Sequence, residues 1–319
     1  MGVFDLPLEK LESYQGSNPC PKDFDEFWER SLQEMRAVNP CMTLEKADFQ
    51  TEQAECYNMY FTGVKNARIH VKYCRPKNET GRHPAVILFH GYTGDAGPWS
   101  SMMCYIANGF SVFSMDCRGQ GGKSQDPGGV HGTTMRGHFI RGLDDGPDNM
   151  LMRHVFLDAA QLAGLVMDFE EVDKTRVGIH GQSQGGALTL VCASLEPRIS
   201  RLASLFPFLS DYKRVWEMDL ADDAYYELSY YFRWFDPCHE RQEKIFERLG
   251  YIDVQNFVKR IKGEVLMGTG MMDTTCPPST QFAVYNKIRA PKKHIIYPDF
   301  CHEDIPDFSD RSYQFLSGL

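Results

Sequence analysis

Short, unbroken apolar runs alternate with longer segments of helical spacing from residue 84 onward. Four of them, Pro84 to Phe89, Ser111 to Met115, Arg176 to Ile179 and Glu264 to Met267, each flow into a turn containing glycine or aspartate, and a fifth, Lys293 to Tyr297, follows later. Between the runs, positions such as Val155, Ala159, Leu162 and Val166 recur with the period of one helix face. A strand that is apolar throughout is one covered on both sides. The pattern therefore predicts a mostly parallel sheet with helices on both faces.

The first 80 residues follow a different rhythm. Phe24, Phe27, Trp28, Leu32 and Met35 have the spacing of a helical face, and Pro21 just ahead of them suits a helix start, so a helix is predicted over 22–36. Cys56 to Phe61 is aromatic and short. Gly63-Val64-Lys65-Asn66 reads as a turn, and Ala67 to Tyr73 returns with Ile69, Val71 and Tyr73 alternating against Arg68, His70 and Lys72, the pattern of a β-hairpin. Residues 211–260, rich in Tyr, Phe, Trp and charge, interrupt the strand–helix alternation and read as a helical insertion that lines a pocket or meets another subunit. With no internal repeat or low-complexity linker, the expectation is one domain over 1–319, with an N-terminal extension (about 1–80) and an insertion (about 211–260).

Composition narrows the function classes. Lys plus Arg number 34 against 43 Asp plus Glu, a formal charge of −9 over 319 residues, which disfavours nucleic acid and anionic membrane surfaces as partners. No apolar run approaches the roughly 18 residues of a membrane span. The segment Met1 to Lys10 shows no basic stretch followed by an apolar one, so it does not read as a secretion signal. The ten cysteines are scattered, without Cys-x-x-Cys spacing, as expected of reduced thiols in a cytoplasmic protein.

The sharpest chemical signal is Gly181-Gln182-Ser183-Gln184-Gly185, placed directly after the strand-like Arg176 to His180 and before the helical run Ala187 to Leu195. That context is the nucleophile elbow of an α/β-hydrolase, a tight turn in which flanking glycines give clearance and the serine is pushed out above the sheet. A serine hydroxyl needs a base, and in this fold the order along the chain is Ser, then Asp or Glu, then His. Only His239, His294 and His302 follow Ser183. His294 opens an apolar strand and His239 lies in the aromatic insertion; His302, just beyond the last strand, is the expected base. Asp273 follows the preceding strand and is the expected acid. Asp299, Glu303, Asp304 and Asp307 are nearer to His302 in sequence but poorly placed to reach the far nitrogen of its ring. The oxyanion donors are expected to be the backbone N–H of Gln184 and, from the Phe89 to Gly94 loop, that of Tyr92. Arg118 in Arg118-Gly119-Gln120-Gly121 is expected to brace active-site loops, and His131 and His138 lack an evident third ligand, so no metal site is expected.

Taken together these motifs resemble the acetyl xylan esterase/cephalosporin C deacetylase group, carbohydrate esterase family 7. The resemblance spans nearly the whole chain: Pro19 to Trp28, HGYTG (90–94), RGQGG (118–122), GQSQGG (181–186), MDTTCPPST (272–280) and His302-Glu303. It implies Ser183 as nucleophile, Asp273 as acid and His302 as base, with Tyr92 and Gln184 as oxyanion donors. It also implies an α/β-hydrolase fold, no cofactor, a small acetylated sugar or cephalosporin C as substrate, and a cytoplasmic homohexamer with inward-facing sites. The sequence departs from the family pattern at Gln182, where a small residue is common, at Asp304, often glycine or aromatic, and at Thr275, often apolar. The rival expectations are another short- or longer-chain carboxylesterase, a peptidase, or a non-catalytic binding protein on the same fold.

Overall fold

A computed structural model describes residues 4–79, 81–128 and 138–319. Among them nine strands form one sheet: β1 (Thr43–Lys46), β2 (Ala54–Thr62), β3 (Arg68–Pro76), β4 (His83–Phe89), β5 (Ser111–Met115), β6 (Val172–Gln182), β7 (Arg201–Leu205), β8 (Glu264–Gly270) and β9 (Lys292–Tyr297). Their spatial order is β1-β2-β3-β5-β4-β6-β7-β8-β9. The hairpin strands β1 to β3 pair antiparallel with each other and with β5, and every pairing from β5 through β4 to β9 is parallel. Among the described residues ten α-helices accompany the sheet: α1 (Leu8–Leu11), α2 (Phe24–Ala37), α3 (Met103–Ala107), α4 (Leu151–Met167), α5 (Gln184–Leu195), α6 (Tyr212–Glu217), α7 (Tyr226–Phe235), α8 (Gln242–Leu249), α9 (Pro278–Lys287) and α10 (Pro306–Ser317). This is the α/β-hydrolase fold.

The unbroken apolar strands divide their side chains between two cores. Ala85, Ile87, Phe89, Phe113, Met115, Val177, Ile179, Val265 and Met267 pack in the larger core with α2, α4 and α5, whereas Val86, Val112, Ala203, Leu205 and Leu266 pack in the other with α3 and α10. Successive residues of a strand point to opposite faces, so a strand covered on both sides is predominantly apolar, with small polar residues such as Ser111, Ser114 and Ser204 buried among the rest. Two strands escaped the sequence pattern. All four residues of the edge strand β1 are exposed, and β7 is a five-residue segment interrupted by Ala203 and Ser204.

The N-terminal helix α2 buries Phe24, Phe27, Trp28, Leu32 and Met35, and packs against α4. Trp28 is fully buried and its indole Nε1–H donates to the Tyr251 carbonyl at 2.9 Å, so the largest side chain of the helix satisfies its one polar atom while filling the core. The segment between β7 and β8 carries α6, α7 and α8 and closes over the carboxyl ends of the parallel strands. In this architecture that is the end at which loops collect and ligands bind. Among the described residues no helix is long and apolar enough to cross a membrane.

Candidate active site

Strand β6 ends at Gln182 and α5 starts at Gln184, leaving Ser183 alone to reverse the chain. Its backbone sits at φ 56°, ψ −118°, a region costly for a residue with a side chain. Surrounding bonds hold it there: Ser183 N–H donates to the Leu205 carbonyl at 3.0 Å, and the Ser183 carbonyl accepts from Ala187 N–H at 3.0 Å and Phe208 N–H at 3.1 Å. The flanking glycines are sterically required. A Cβ on Gly181 would lie 2.4 Å from the Gly185 carbonyl, and one on Gly185 would lie 2.1 Å from the Phe89 carbonyl oxygen.

Three loops from the carboxyl ends of β6, β8 and β9 bring Ser183, Asp273 and His302 together. His302 Nε2 lies 3.0 Å from Ser183 Oγ, and His302 Nδ1 lies 2.8 Å from Asp273 Oδ2. Asp273 is fully buried. Its Oδ1 accepts from the backbone N–H groups of Thr275 at 3.0 Å and Cys276 at 2.7 Å, and its Oδ2 also accepts from Gln281 Nε2 at 3.3 Å. Since the carboxylate can only accept, His302 carries its proton on Nδ1 and turns the lone pair of Nε2 toward the serine hydroxyl. Phe206 packs on the imidazole with ring centres 4.4 Å apart. The alternative acids lie elsewhere. Asp307 accepts from Tyr297 and Arg311, Glu303 from the Cys301 N–H, and Asp304 from Gln182 Nε2 at 3.2 Å. His294 is wedged between Phe282 and Tyr285 and bonded to Thr269 Oγ1, and burial pulls its pKa down to about 4. His239 packs on Trp216 and Phe232.

Ser183 and His302 open into a cavity of about 590 Å³, a volume suited to a small ligand. Gly91 and Tyr92 form one wall, and the insertion supplies Asp223, Ala224, Tyr226 and Glu227. Gln184, the first residue of α5, is buried beside Ser183, so both loops expected to donate to an oxyanion border the serine. Two residues that fix the Tyr92 loop had no role assigned from the sequence, Gln120 within the RGQGG motif and Glu227. Gln120 Oε1 accepts from Thr93 N–H at 2.9 Å, and its Nε2 donates to Gln184 Oε1 at 2.7 Å, tying the Tyr92 loop to the start of α5. Glu227 accepts from the Tyr92 hydroxyl at 2.5 Å through Oε1, and from the N–H groups of Phe139 and Ile140 at 3.1 and 3.4 Å through Oε2. Burial and the adjacent Glu227 carboxylate push the Tyr92 phenol far above its ordinary pKa. No local motif signals Glu227, which lies 135 positions from Tyr92.

Arg118 braces a different part of the molecule from the one expected. It is fully buried, forms a two-pronged pair with Asp158 of α4 at 2.6 and 2.7 Å, and donates to the Val64 carbonyl at 3.1 Å, so it joins the end of β5 to α4 and the hairpin turn. His131 lies outside the described residues. His138 lines the cavity with its ring edge-on to Tyr92, and burial, aided by Arg141, lowers its pKa to about 4. Among the described residues, Asp273, Cys276 and His302 place potential metal-ligating atoms within 4.8 Å of one another. The donor set suits a metal poorly. Asp273 is engaged by four donors, and burial, with Asp273 itself nearby, holds the Cys276 thiol well above its ordinary pKa.

The chain matches the model of the acetyl xylan esterase family (AXE1) over residues 1–319. It is 32% identical over 291 residues to the acetyl esterase Axe7A of Xylanibacter ruminicola; the match covers 87% of this chain, and the chain spans 62% of that relative's length. Among solved structures, acetyl xylan esterase 1 from Thermoanaerobacterium sp. JW/SL YS485 is similar at a TM-score of 0.97 and 58% identity, covering 98% of this chain and 99% of that one. The acetyl xylan esterase from Paenibacillus sp. R4 is similar at a TM-score of 0.93 and 31% identity, covering 98% and 100%. The elbow, the ordered serine–histidine–aspartate contacts and the match along the full length agree, and this chain belongs to the acetyl xylan esterase family of carboxylic ester hydrolases.

Proposed function

We propose that this protein is a serine esterase that removes acetyl groups from small acetylated sugars such as xylo-oligosaccharides. The observation that carries the reading is the continuous chain of contacts from Ser183 Oγ through His302 to the buried Asp273 carboxylate, at 3.0 and 2.8 Å. In the proposed reaction Ser183 Oγ attacks the acetyl carbonyl carbon while His302 Nε2 takes the hydroxyl proton. Negative charge gathers on the former carbonyl oxygen, where the N–H groups of Tyr92 and Gln184 meet it. The tetrahedral adduct collapses, His302 returns the proton to the departing sugar oxygen, and an acetyl-serine remains. Water, deprotonated by the same imidazole, then releases acetate and restores the hydroxyl. Asp273 holds the Nδ1–H tautomer and stabilises the imidazolium formed in each half-reaction. No step requires a cofactor.

Cephalosporin C carries the same acetyl group on a different alcohol, and the resemblance to family 7 extends the proposal to it. The resemblance likewise supports a cytoplasmic homohexamer, and the ten free cysteines suit a reducing compartment. Light scattering tests the assembly. The activity is tested by release of acetate from acetylated xylo-oligosaccharides and p-nitrophenyl acetate by wild type and Ser183→Ala. Loss of one oxyanion donor costs about 10²–10³ in rate, and loss of the nucleophile costs more. Equal rates in the two proteins would remove Ser183 from the reaction. A preference for long acyl chains in a series of p-nitrophenyl esters would replace deacetylation with a broader carboxylesterase activity.

A further inference from the structure

Helix α7 begins in the wall of the catalytic cavity and ends in solvent. Tyr226, at its first position, lines the same cavity as Ser183 and His302 and is 37% exposed. Four residues further on is Tyr230, and four beyond that Trp234, which at 63% is the most exposed large apolar side chain among the described residues. The rings follow one another along one face, with centres 6.3 Å apart between Tyr226 and Tyr230 and 6.4 Å between Tyr230 and Trp234, their planes inclined at 50° and 52°. Each step of four residues turns about 40° around the helix, so the row winds along one side while eight residues advance about 12 Å.

The opposite face of α7 accounts for the fold. Leu228, Tyr231 and Phe232 are buried there, and Glu227 turns inward to the Tyr92 hydroxyl. Of the ladder, Tyr230 is half-buried and rests part of its ring on that core, while Tyr226 and Trp234 keep exposed surface that the packing of the helix does not use. Aromatic surface clustered beside a ligand cavity is the kind of patch that binding faces carry.

We propose that Tyr226, Tyr230 and Trp234 form a stacking track for the sugar chain that carries the acetyl group, leading from the catalytic cavity outward along α7. The inference rests on the deacetylase reading above and adds where the rest of the substrate lies. A pyranose ring presents C–H bonds on its flat faces and hydroxyls around its rim. It packs on an aromatic face without stripping water from the hydroxyls, and Tyr and Trp offer that face together with a polar tip. A row of rings about 6 Å apart matches a ligand built of repeated units. The track is continuous with the cavity through Tyr226, so an acetylated unit held at Ser183 has its chain neighbours directed onto Tyr230 and Trp234. The Arg233 guanidinium, 5.6 Å from the Trp234 ring centre, adds donors for rim hydroxyls.

The test uses the full-length protein and reads a ratio: kcat/KM for acetylated xylo-oligosaccharides of increasing length, divided by kcat/KM for p-nitrophenyl acetate, which has no sugar to stack. Losing one stacked pair corresponds to about a two- to twelvefold change, so Trp234→Ala should lower the ratio by that factor for the longer oligosaccharides, with the deficit growing with chain length. Tyr230→Ala should do so for shorter ones, and Trp234→Phe should restore most of the ratio. Because Trp234 is largely in solvent, its replacement leaves the buried face of α7 intact. An unchanged ratio in both alanine variants overturns the track. So does a Trp234→Ala protein whose assembly changes by light scattering while its ratio stays at the wild-type value, since the ladder would then face a second copy of this chain. A wild type that cleaves p-nitrophenyl acetate through Ser183 but releases no acetate from any acetylated sugar would instead defeat the substrate reading itself, and the track with it.

Discussion

Replacing Asp273 by Asn changes one atom and tests the whole proton path. Asp273 only accepts: Oδ1 from two backbone N–H groups, Oδ2 from His302 and Gln281. An asparagine must place its NH₂ at one of these two positions. At the Oδ1 position it would face the N–H groups of Thr275 and Cys276, leaving two buried donors unsatisfied at about 1–3 kcal/mol each. The amide oxygen therefore takes that position and the NH₂ turns toward His302. Nδ1 must then accept, which puts the imidazole proton on Nε2, against Ser183 Oγ, and leaves no lone pair to receive the hydroxyl proton. In the trypsin-type template of this triad the same substitution lowers turnover about 10⁴-fold. At about 1.4 kcal/mol per factor of ten, that is about 5.5 kcal/mol of lost transition-state stabilisation. Asp273→Asn should therefore lower kcat for p-nitrophenyl acetate by about four orders of magnitude, with KM little changed because the cavity keeps its shape. Circular dichroism and thermal unfolding verify that the variant is folded. A folded variant with kcat within tenfold of wild type would refute the argument, since the tautomer of His302 would then be irrelevant to the rate.

Three further outcomes follow from the buried polar contacts. Arg118→Met strands the fully buried Asp158 carboxylate, a change worth about 3–5 kcal/mol. With an unfolding entropy of about 2.1 cal/mol/K per residue over 319 residues, calorimetry should show Tm lower by about 4–8 °C, and Asp158→Leu added to Arg118→Met should recover part of it. Tyr92→Phe keeps the backbone donor but removes the hydroxyl bonded to Glu227, a charge-assisted bond of about 1.5–3 kcal/mol; steady-state kinetics should show kcat falling more than KM rises, and thermal unfolding a lower Tm. Burial holds His154 and His294 at about 4, below the roughly 6.5 of an unfolded histidine. The unfolded chain then binds more protons between those values, so their contribution to stability is complete above pH 6.5 and is lost as pH falls toward 4. Asp253, pushed up to about 7 by burial and by Asp211, acts in the opposite sense as pH rises from about 4 to 7. The histidine effect is thus read by difference: in Tm measurements from pH 8 to 4, the wild type should lose more stability than His294→Phe over the acid range, and parallel curves would contradict it.

The family and its fold were legible from local signals. Gly181 and Gly185 declare the elbow because any side chain there would strike backbone, and the apolar strands declare a doubly covered sheet because each side chain had a core to enter. The order of Ser183, Asp273 and His302 along the chain, each just past a strand, reflects the parallel sheet that collects such loops at one end. Strands β1 and β7 carried no such mark. One is an exposed edge held by backbone bonds to its neighbour, and the other is short and mixed in composition.

What pattern reading could not supply are the cross-links between segments distant along the chain. Arg118 was visible as a bracing residue, but its partners Asp158 and Val64 come from elements that meet only after packing, and they place it away from the active-site loops. Gln120, Glu227 and the aromatic ladder of α7 show the same thing on the functional side. Each is an ordinary polar or aromatic residue in sequence, and each acquires a role from what folding sets beside it: the Tyr92 loop and α5 for Gln120, the Tyr92 hydroxyl for Glu227, and the cavity for the ladder. Local sterics and periodicity are written residue by residue, so a strand, an elbow or a helix face can be read directly. Long-range partners depend on where a whole sheet and its insertion come to rest, and that emerges only when burial of the entire chain is satisfied at once.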